Sequence, residues 1–370
     1  MNLKQIIFFS LGLLFFCLYL ERWILAAFAF VFISIGLQLE KFFKGYNTSA
    51  QFIVDSAKRN NDEAKLEEEL PGIQWEFRGH IKAIEGERNL IASTTAHDAA
   101  KAYIRANFEE FGWDVKEQAF QFRGQTAANV VATIPGHSKK CLLFCCHYDT
   151  VLGTSGADDN GSGVAAVLTL ARLMAATKWH HTIKLVAFDL EERQGLRGLI
   201  GSTHFVKNCQ DDLALVVNFE MIGLCRQGIN SQELPWFTKF LSKSIYQQVS
   251  DRESRGDFIF ATGNKKTLPY VDLLKECCSQ HNLECAFLPF VGLSRLSRDL
   301  RRSDHGPFWK KGIPAIMLTD TANFRSGYYH TPFDIVETID LSFATKIVES
   351  ALSMAKQLDA LSTSEGSDAC

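Results

Sequence analysis

Four short apolar segments, set among amphipathic segments, constrain the fold of this chain more than any other feature. A short continuous apolar run is typical of a strand that is covered on both faces. Segments with apolar residues at helical spacing alternate with these runs. The alternation predicts an α/β fold, with a mostly parallel central sheet and helices on both faces. The four runs are LLFCC at 142–146, IKLVAFDL at 183–190, ALVVNFEMI at 214–222 and IPAIMLT at 313–319.

The amino terminus carries a different kind of apolar pattern. Two uncharged runs, 5–20 and 23–39, flank the pair Glu21–Arg22. Each run would extend ~25 Å as a helix, a little less than the ~30 Å hydrocarbon core of a bilayer. Either both runs span as a hairpin, or only one of them does. A cleaved signal peptide is less favoured, because the second run follows the first at once. Residues 1–45 are therefore predicted to be a membrane anchor of one or two transmembrane helices.

Basic residues after the second run indicate which side of the membrane the remaining chain occupies. Such residues are retained in the cytoplasm, and Lys4 would lie on the same side in a hairpin. The adjacent pairs Cys145–Cys146 and Cys277–Cys278 are poorly placed to cross-link loops, and they are typical of thiols in a reducing compartment. We therefore expect a membrane protein whose folded domain lies on the cytoplasmic side. The basic residues are Lys41, Lys44, Lys58, Arg59 and Lys65.

Composition excludes several classes of protein. The 39 basic residues do not exceed the 42 acidic residues, so no positive excess exists to bind nucleic acid. Ten cysteines in 370 residues are too few for a disulfide scaffold. After the anchor, the pattern predicts a polar linker at 46–75, one folded domain at 76–360 and a flexible tail at 361–370. No protein partner is predicted.

Histidine and carboxylate residues follow the predicted strands, and an Asp-Asp loop lies between the first two strands. Because ligands bind at the carboxyl ends of strands in such sheets, these side chains should meet at one edge. Crowded carboxylates without a cation would repel one another. Imidazole and carboxylate groups together are typical ligands of a divalent metal, zinc above all. The residues concerned are His147, Asp149, the loop 156–163, Glu191, Glu192, Glu220 and His330.

A series of motifs around these residues resembles the co-catalytic dizinc aminopeptidase family, which includes bacterial leucyl aminopeptidases and relatives of glutamate carboxypeptidase. The resemblance covers residues 79–360. It implies a fold of the zinc exopeptidase type, two zinc ions per chain, and hydrolysis of the N-terminal peptide bond of a peptide substrate. In chain order the motifs are HYDTV, GADDNGSGVAAVLTLARLM, FDLEERQGLRGLIGSTHF, NFEMIG, SDHGPFW and YYHTPFD.

The resemblance also implies a role for each site residue. His147 and Glu220 would bind one zinc ion, Glu192 and His330 the other, and Asp158 would bridge them. A water shared by the ions would be the nucleophile. Two further residues would be catalytic: Glu191 as the general base, and Asp149 by orienting His147. A cis peptide bond is expected between Asp158 and Asp159.

Two positions of this sequence depart from the family pattern. Glu220 stands where many relatives have Asp, a change that preserves an oxygen ligand. The tyrosine that precedes the SDH motif in some relatives, and stabilises the oxyanion there, is absent here; Tyr328, Tyr329 or an arginine could replace it. Residues Asn323, Arg325 and Tyr329 are predicted to contact substrate. A basic stretch at 295–302 is either a solvated surface or a pocket for an acidic group.

Three other functions stay open. A glutaminyl-cyclase-like acyl transferase shares the expected fold but uses one zinc ion, and the complete two-metal motif set argues against it. A peptidase resembling glutamate carboxypeptidase is a further alternative, which the basic stretch keeps open. A non-catalytic receptor-like protein would be expected to have lost metal ligands, and none is lost here.

Overall fold

A computed structural model of the protein describes residues 70–193, 197–234, 238–290 and 299–367. The segment predicted to be the membrane anchor, 1–45, lies outside these residues, as does nearly all of the predicted linker. Across the ranges just given, no helix has both the length and the apolar character needed to cross a bilayer.

The described residues form one eight-stranded sheet. The strands are β1 (Asp114–Phe122), β2 (Gln125–Ile134), β3 (Ser138–His147), β4 (His181–Phe188), β5 (Asp212–Phe219), β6 (Phe258–Gly263), β7 (Glu284–Pro289) and β8 (Ala315–Thr319). Their order across the sheet is β1-β2-β4-β3-β5-β8-β6-β7.

The sheet is mixed, with the predicted parallel centre and antiparallel pairings toward both edges. Strands β4, β3, β5 and β8 are parallel to one another and form the predicted centre. At one edge, the hairpin of β1 and β2 joins β4 in antiparallel pairing. At the other edge, β6 is antiparallel to β8 and parallel to β7. The sequence analysis missed β6 and β7, because their segments FIFATG and ECAFLP are short and include polar residues.

The apolar runs are continuous because the central strands are buried on both faces. Along β3, Leu142 and Phe144 lie in one core cluster. The alternate residues Leu143 and Cys145 lie in a second cluster. Successive side chains of a strand point to opposite faces, so each face of the sheet supports its own core.

Helices cover both faces, as predicted. Among the described residues the helices are α1 (Gly72–Ile84), α2 (Thr94–Glu110), α3 (Gly163–Ala175), α4 (Ile200–Asn208), α5 (Thr238–Leu241), α6 (Lys243–Asp251), α7 (Val271–Gln280), α8 (His305–Lys310) and α9 (Leu341–Ser367). One face of the sheet is packed against α1, α2, α3, α7 and α9, and the other against α4 and α8.

Candidate metal centre

Two imidazoles and several carboxylates come together at the carboxyl-terminal ends of the central strands. His147 is the last residue of β3, and Glu220 directly follows β5. The His147 Nε2 atom lies 3.5 Å from Glu220 Oε2. After β4, the chain reaches Glu191 and Glu192, and Glu192 Oε1 lies 3.4 Å from His330 Nε2. The parallel centre of the sheet therefore gathers the predicted side chains as expected.

Asp159, and not the predicted Asp158, occupies the middle of this group. One carboxylate oxygen of Asp159 lies 3.5 Å from His147 Nε2, and the other lies 3.1 Å from His330 Nε2. The loop is held by Asp334, whose carboxylate accepts the backbone N–H groups of Asp158 at 2.8 Å and Asp159 at 2.9 Å. A single carboxylate thus faces both imidazoles.

The Asp158 side chain makes its contacts outside this group, which corrects its predicted role as the bridging ligand. Its carboxylate accepts the backbone N–H of Gly223 at 2.8 Å. It also lies against Asp320, and burial raises the pKa of both carboxyl groups. The cis peptide bond likewise lies one residue later than expected, between Asp159 and Asn160.

Asp149 connects the ends of β3 and β4. The His147 Nδ1 atom donates a hydrogen bond to the backbone carbonyl of Asp149 at 3.1 Å and lies 3.4 Å from its carboxylate. The same carboxylate accepts the backbone N–H groups of Glu191 at 3.0 Å and Glu192 at 3.2 Å. Because Nδ1 carries a proton, the neutral imidazole of His147 has its lone pair on Nε2, toward Asp159 and Glu220.

Two residues of the SDH motif also reach the centre, and the sequence analysis assigned them no role. The Ser303 hydroxyl donates a hydrogen bond of 2.6 Å to Glu220 Oε2. Asp304 is fully buried, and within the described part of the chain neither of its carboxylate oxygens has a hydrogen-bond partner. Burial raises the pKa of Asp304 to about 7, with the imidazole of His147 opposing the shift.

The buried atoms at the middle of the group fit a bound cation. Neither His147 Nε2 nor the Asp159 carboxylate oxygens make a hydrogen bond to any residue that the structure describes. Buried polar atoms left without partners are costly, and a metal ion would satisfy them. The side chains form three overlapping groups of donor atoms, each within the reach of one ion. Two of them share Asp159: His147, Asp159 and Glu220, and Asp159, Glu192 and His330. The third is His147, Glu191 and Glu192. Nitrogen and oxygen donors of this kind suit zinc.

Without a bound cation, the pKa values of several ionisable side chains in this group are raised above their usual values. Burial raises the pKa of Glu191, and the charges of Glu220 and Glu192 raise it further. Burial, together with the charge of Asp159, raises the pKa of Glu192 to about 7. Burial lowers the pKa of His330, but the close carboxylates of Asp159 and Glu192 outweigh it and raise the value to about 10. Divalent cations here would relieve the repulsion among the carboxylates.

A cavity of about 1000 Å³ opens onto the group. Its walls include Asp159, Glu191, Glu192, Glu220 and His330. A separate part of its lining is apolar and belongs to one packed cluster, which we call the apolar lobe: Leu234, Ile245, Phe258, Phe260 and Leu288.

Of the three predicted substrate contacts, the structure places two in this cavity. Asn323 and Tyr329 line it, and the ring of Tyr329 stacks on the imidazole of His330 with 3.7 Å between centroids. Arg325 is only 5% exposed, and its guanidinium donates to Gln232 and to the carbonyls of Leu224 and Phe258. Arg325 therefore stabilises the fold beneath the cavity, and the prediction that it contacts substrate is wrong.

Comparison with known proteins identifies relatives of this chain. The sequence profile of peptidase family M28 matches residues 129–355, more than half of the chain. YfbL, an uncharacterised protein of Escherichia coli K12, is 28% identical over 268 residues, which cover 68% of this chain and 77% of YfbL. Aminopeptidase YwaD of Bacillus subtilis is 25% identical over 235 residues, 59% of this chain and 42% of YwaD. The chain spans about half the length of YwaD and of the fungal probable zinc metalloproteases that it matches.

Solved structures with the same fold include enzymes of two kinds. The LapA aminopeptidase of Legionella pneumophila has a TM-score of 0.57 at 19% identity, covering 81% of this chain and 72% of LapA. The glutaminyl cyclase of Porphyromonas gingivalis has a TM-score of 0.56 at 18% identity, covering 78% of this chain and all of that one. At these identities the likeness shows the fold, which is that of zinc exopeptidases.

Proposed function

The chain belongs to peptidase family M28, and from this premise we propose that it is a zinc-dependent aminopeptidase that removes the N-terminal residue of peptides. The observation that supports this most strongly is the pair of donor groups that share Asp159. We propose that His147 and Glu220 would hold one zinc ion, that Glu192 and His330 would hold the other, and that Asp159 would contribute to both sites. The name of the relative YwaD agrees with aminopeptidase activity.

The chemistry needs both an activated water and a polarised carbonyl group, because a peptide bond is a poor electrophile. Bound zinc ions supply both, since they lower the pKa of water to about 7 and withdraw charge from the carbonyl oxygen. The protein contributes the proton transfers. Glu191 lines the cavity and forms a donor group with His147 and Glu192, but it belongs to neither of the two groups that share Asp159. We infer that its carboxylate accepts the proton of the attacking water and returns it to the departing nitrogen.

Tyr329 is the group best placed to stabilise the carbonyl oxygen of the substrate. Its hydroxyl accepts a hydrogen bond of 2.8 Å from Arg302, which leaves the hydroxyl proton available for donation. Its ring is fixed against His330. This arrangement would replace the tyrosine that is absent before the SDH motif.

Glutaminyl cyclase activity is the second candidate, because structures with that activity share the fold. The complete second donor group favours the peptidase.

A substrate panel with metal quantification separates the candidates. The purified protein is offered leucine p-nitroanilide, a peptide that begins with glutamine, and an N-acylated dipeptide that ends in glutamate. We expect release of leucine with two zinc ions per chain. Cyclisation of the glutamine peptide by a protein with one tightly bound zinc would overturn the proposal.

A further inference from the structure

Arg88 is a buried arginine that none of the roles described so far includes. It lies outside residues 129–355, which the family profile matches, and it is only 1% exposed. Its guanidinium donates hydrogen bonds to five backbone carbonyl oxygens. These belong to Ile84 at 2.6 Å, Gly86 at 2.9 Å, Tyr148 at 2.8 Å, Ser155 at 3.3 Å and Gly156 at 2.8 Å.

Three of these carbonyls belong to the loop 148–156, which follows β3 and has no regular secondary structure. The loop begins directly after His147 and ends three residues before Asp159. Tyr148 is its first residue and Gly156 its last. One guanidinium therefore connects the two ends of the loop, and with them the backbone beside two of the proposed zinc ligands.

Residues beside the guanidinium hold the middle of the same loop. The backbone N–H of Arg88 donates to the Thr150 hydroxyl at 2.8 Å, and the backbone N–H of Thr150 donates to the Arg88 carbonyl at 3.3 Å. The Glu87 carboxylate accepts the backbone N–H of Gly153 at 2.6 Å. Glu87 and Arg88 together thus attach the loop at both ends and in the middle.

Gly156 leaves the space that the guanidinium occupies. Its φ is +62°, a left-handed conformation that glycine adopts readily. A β-carbon at this position would lie 2.8 Å from Nη2 of Arg88 and 2.5 Å from the γ-methyl group of Thr150. The last residue of the loop is therefore fitted to the arginine.

Arg88 also brings positive charge close to the metal centre. Burial lowers its pKa to about 10, and the carboxylates of Asp334, Asp149 and Asp159 oppose this shift. The guanidinium therefore stays charged at neutral pH. A lysine could supply the same charge, but arginine offers a planar fork of five N–H donors, whereas lysine has a single ammonium group. Only the fork can hold the carbonyls at both ends of the loop at once.

We propose that Arg88 is a positioning residue of the metal centre, which holds His147 and Asp159 at the spacing that one zinc ion requires. This inference rests on the proposed function, because it assumes that these two side chains bind zinc. Nε2 of His147 and the carboxylate of Asp159 lie 3.5 Å apart, and the loop that Arg88 holds is the chain segment between them. Loss of a group that orients metal ligands typically reduces metal affinity by about 10- to 100-fold.

The zinc affinity of Arg88→Lys tests the proposal, because this variant keeps the charge and loses the fork. We expect the zinc dissociation constant of the full chain, measured by chelator competition, to rise about 10- to 100-fold. The visible absorption spectrum of the cobalt(II)-loaded protein, which reports the geometry of the ligands, should change as well. An unchanged dissociation constant or an unchanged cobalt spectrum would overturn the proposal.

Arg325→Lys is the matched control. Arg325 is also buried, and it donates to the carbonyls of Leu224 and Phe258, which lie outside the loop. Both variants should lower the melting temperature of the metal-free protein, because both remove hydrogen bonds to buried carbonyls. Only the Arg88 variant should weaken zinc binding. An equal loss of zinc affinity in the control would mean that general destabilisation, and not the loop, is responsible.

Thr150→Val decides the question if Arg88→Lys does not fold. This variant keeps the guanidinium and removes only the hydroxyl that accepts the N–H of Arg88. We expect its zinc dissociation constant to rise about three- to tenfold, as the loss of one hydrogen bond would give. Wild-type zinc affinity in the folded Thr150 variant would then overturn the proposal.

Failure of this inference can be told apart from failure of the proposed function. If the wild-type chain binds zinc but does not cleave leucine p-nitroanilide, the aminopeptidase proposal fails, and the zinc affinities of the variants still test the role of Arg88. If the wild-type chain cleaves the anilide and Arg88→Lys binds zinc equally well, the function stands and the positioning role is wrong. A wild-type chain that binds no zinc would refute both.

Discussion

The carboxylate of Asp149 accepts a hydrogen bond from the backbone N–H of Glu191 at 3.0 Å, and this contact joins the ends of two adjacent strands. Asp149 follows β3 and Glu191 follows β4. The same carboxylate lies 3.4 Å from the imidazole of His147. One buried side chain therefore fixes both a proposed metal ligand and the backbone of the proposed general base. A base held in this way needs little reorganisation to reach a water.

The first prediction concerns Glu191. Glu191→Gln preserves the shape of the side chain and removes its basicity. We expect turnover to fall by about 10²- to 10⁴-fold, the usual contribution of a general base, while zinc content and melting temperature stay at the wild-type values. Steady-state kinetics and elemental analysis measure both. Glu233→Gln, in the lining of the same cavity, is the control and should retain near-normal turnover. Loss of a zinc ion in Glu191→Gln would exchange the roles of Glu191 and Glu192.

The second prediction compares the two neighbouring aspartates. Asp159→Asn should weaken the binding of both zinc ions, because this carboxylate faces both imidazoles. Asp158→Asn should keep both ions, because its side chain accepts from Gly223 and lies against Asp320. Metal content after dialysis against a weak chelator measures the difference. If the Asp158 variant loses metal while the Asp159 variant retains it, the assignment of the bridging residue is reversed.

The sequence alone does not show which of these two adjacent aspartates faces the metal centre. The order of the motifs was enough to recognise the zinc aminopeptidase family, and the profile match confirms it. Which of two adjacent acids faces the centre depends on the direction of the backbone. That direction is set by Asp334, which lies far along the chain and binds both loop N–H groups. The motif YYHTPFD contained this residue, but nothing in the pattern assigned it a partner.

The orientation of Arg325 and the composition of the cavity lining also depend on tertiary structure. The sequence predicts that Arg325, in the loop DTANFRSG, contacts substrate, yet its guanidinium donates to backbone carbonyls inside the fold. The apolar lobe combines side chains from β6, β7 and α6, which are separate in sequence. The central strands were predictable because burial on both faces gives continuous apolar runs. Strands β6 and β7 and the apolar lobe depend on tertiary packing that no local pattern records.

The third prediction concerns the pH dependence of metal binding. In the metal-free protein the pKa of Glu192 is raised to about 7 and that of His330 to about 10. Both groups therefore hold protons that a metal ion must displace, so apparent affinity should fall as pH falls. One displaced proton changes the dissociation constant by about tenfold per pH unit. Chelator competition at pH 6, 7 and 8 measures the slope, and affinity that is independent of pH would contradict the assigned ligands.

The fourth prediction concerns the amino terminus, for which the sequence alone is informative. The uncharged runs 5–20 and 23–39 should hold the full chain in the membrane. We expect the chain to remain in the pellet after alkaline carbonate extraction, and a variant that lacks residues 1–45 to be extracted. Protease added to the outer face of sealed cells should leave the folded domain intact, since the basic residues favour the cytoplasmic side. Extraction of the full chain would refute the anchor, and digestion of the domain would refute the orientation.

The fifth prediction concerns Asp359 of α9, which joins this helix to the start of β4. Its carboxylate accepts the backbone N–H groups of His180 at 2.9 Å and His181 at 2.7 Å, and lies 3.0 Å from the imidazole of His181. Burial raises the pKa of Asp359, but these contacts outweigh it and the net shift is downward. Folding therefore favours the ionised carboxylate, and the side chain is only 13% exposed, so solvent screens the contacts weakly.

Because the folded pKa of Asp359 lies below the unfolded one, its stabilisation is complete above about pH 4 and is lost as pH falls through the folded value. Asp359→Asn should thus reduce the free energy of unfolding by about 1–2 kcal/mol at pH 7, and the difference from wild type should shrink below pH 4. Melting temperatures of both proteins from pH 7 down to pH 3 measure this. Asp98→Asn, which removes an acid that is 54% exposed and pairs with Lys101, should change stability little at any pH. A deficit in Asp359→Asn that stays constant over this range would mean that the charge of Asp359 does not stabilise the fold.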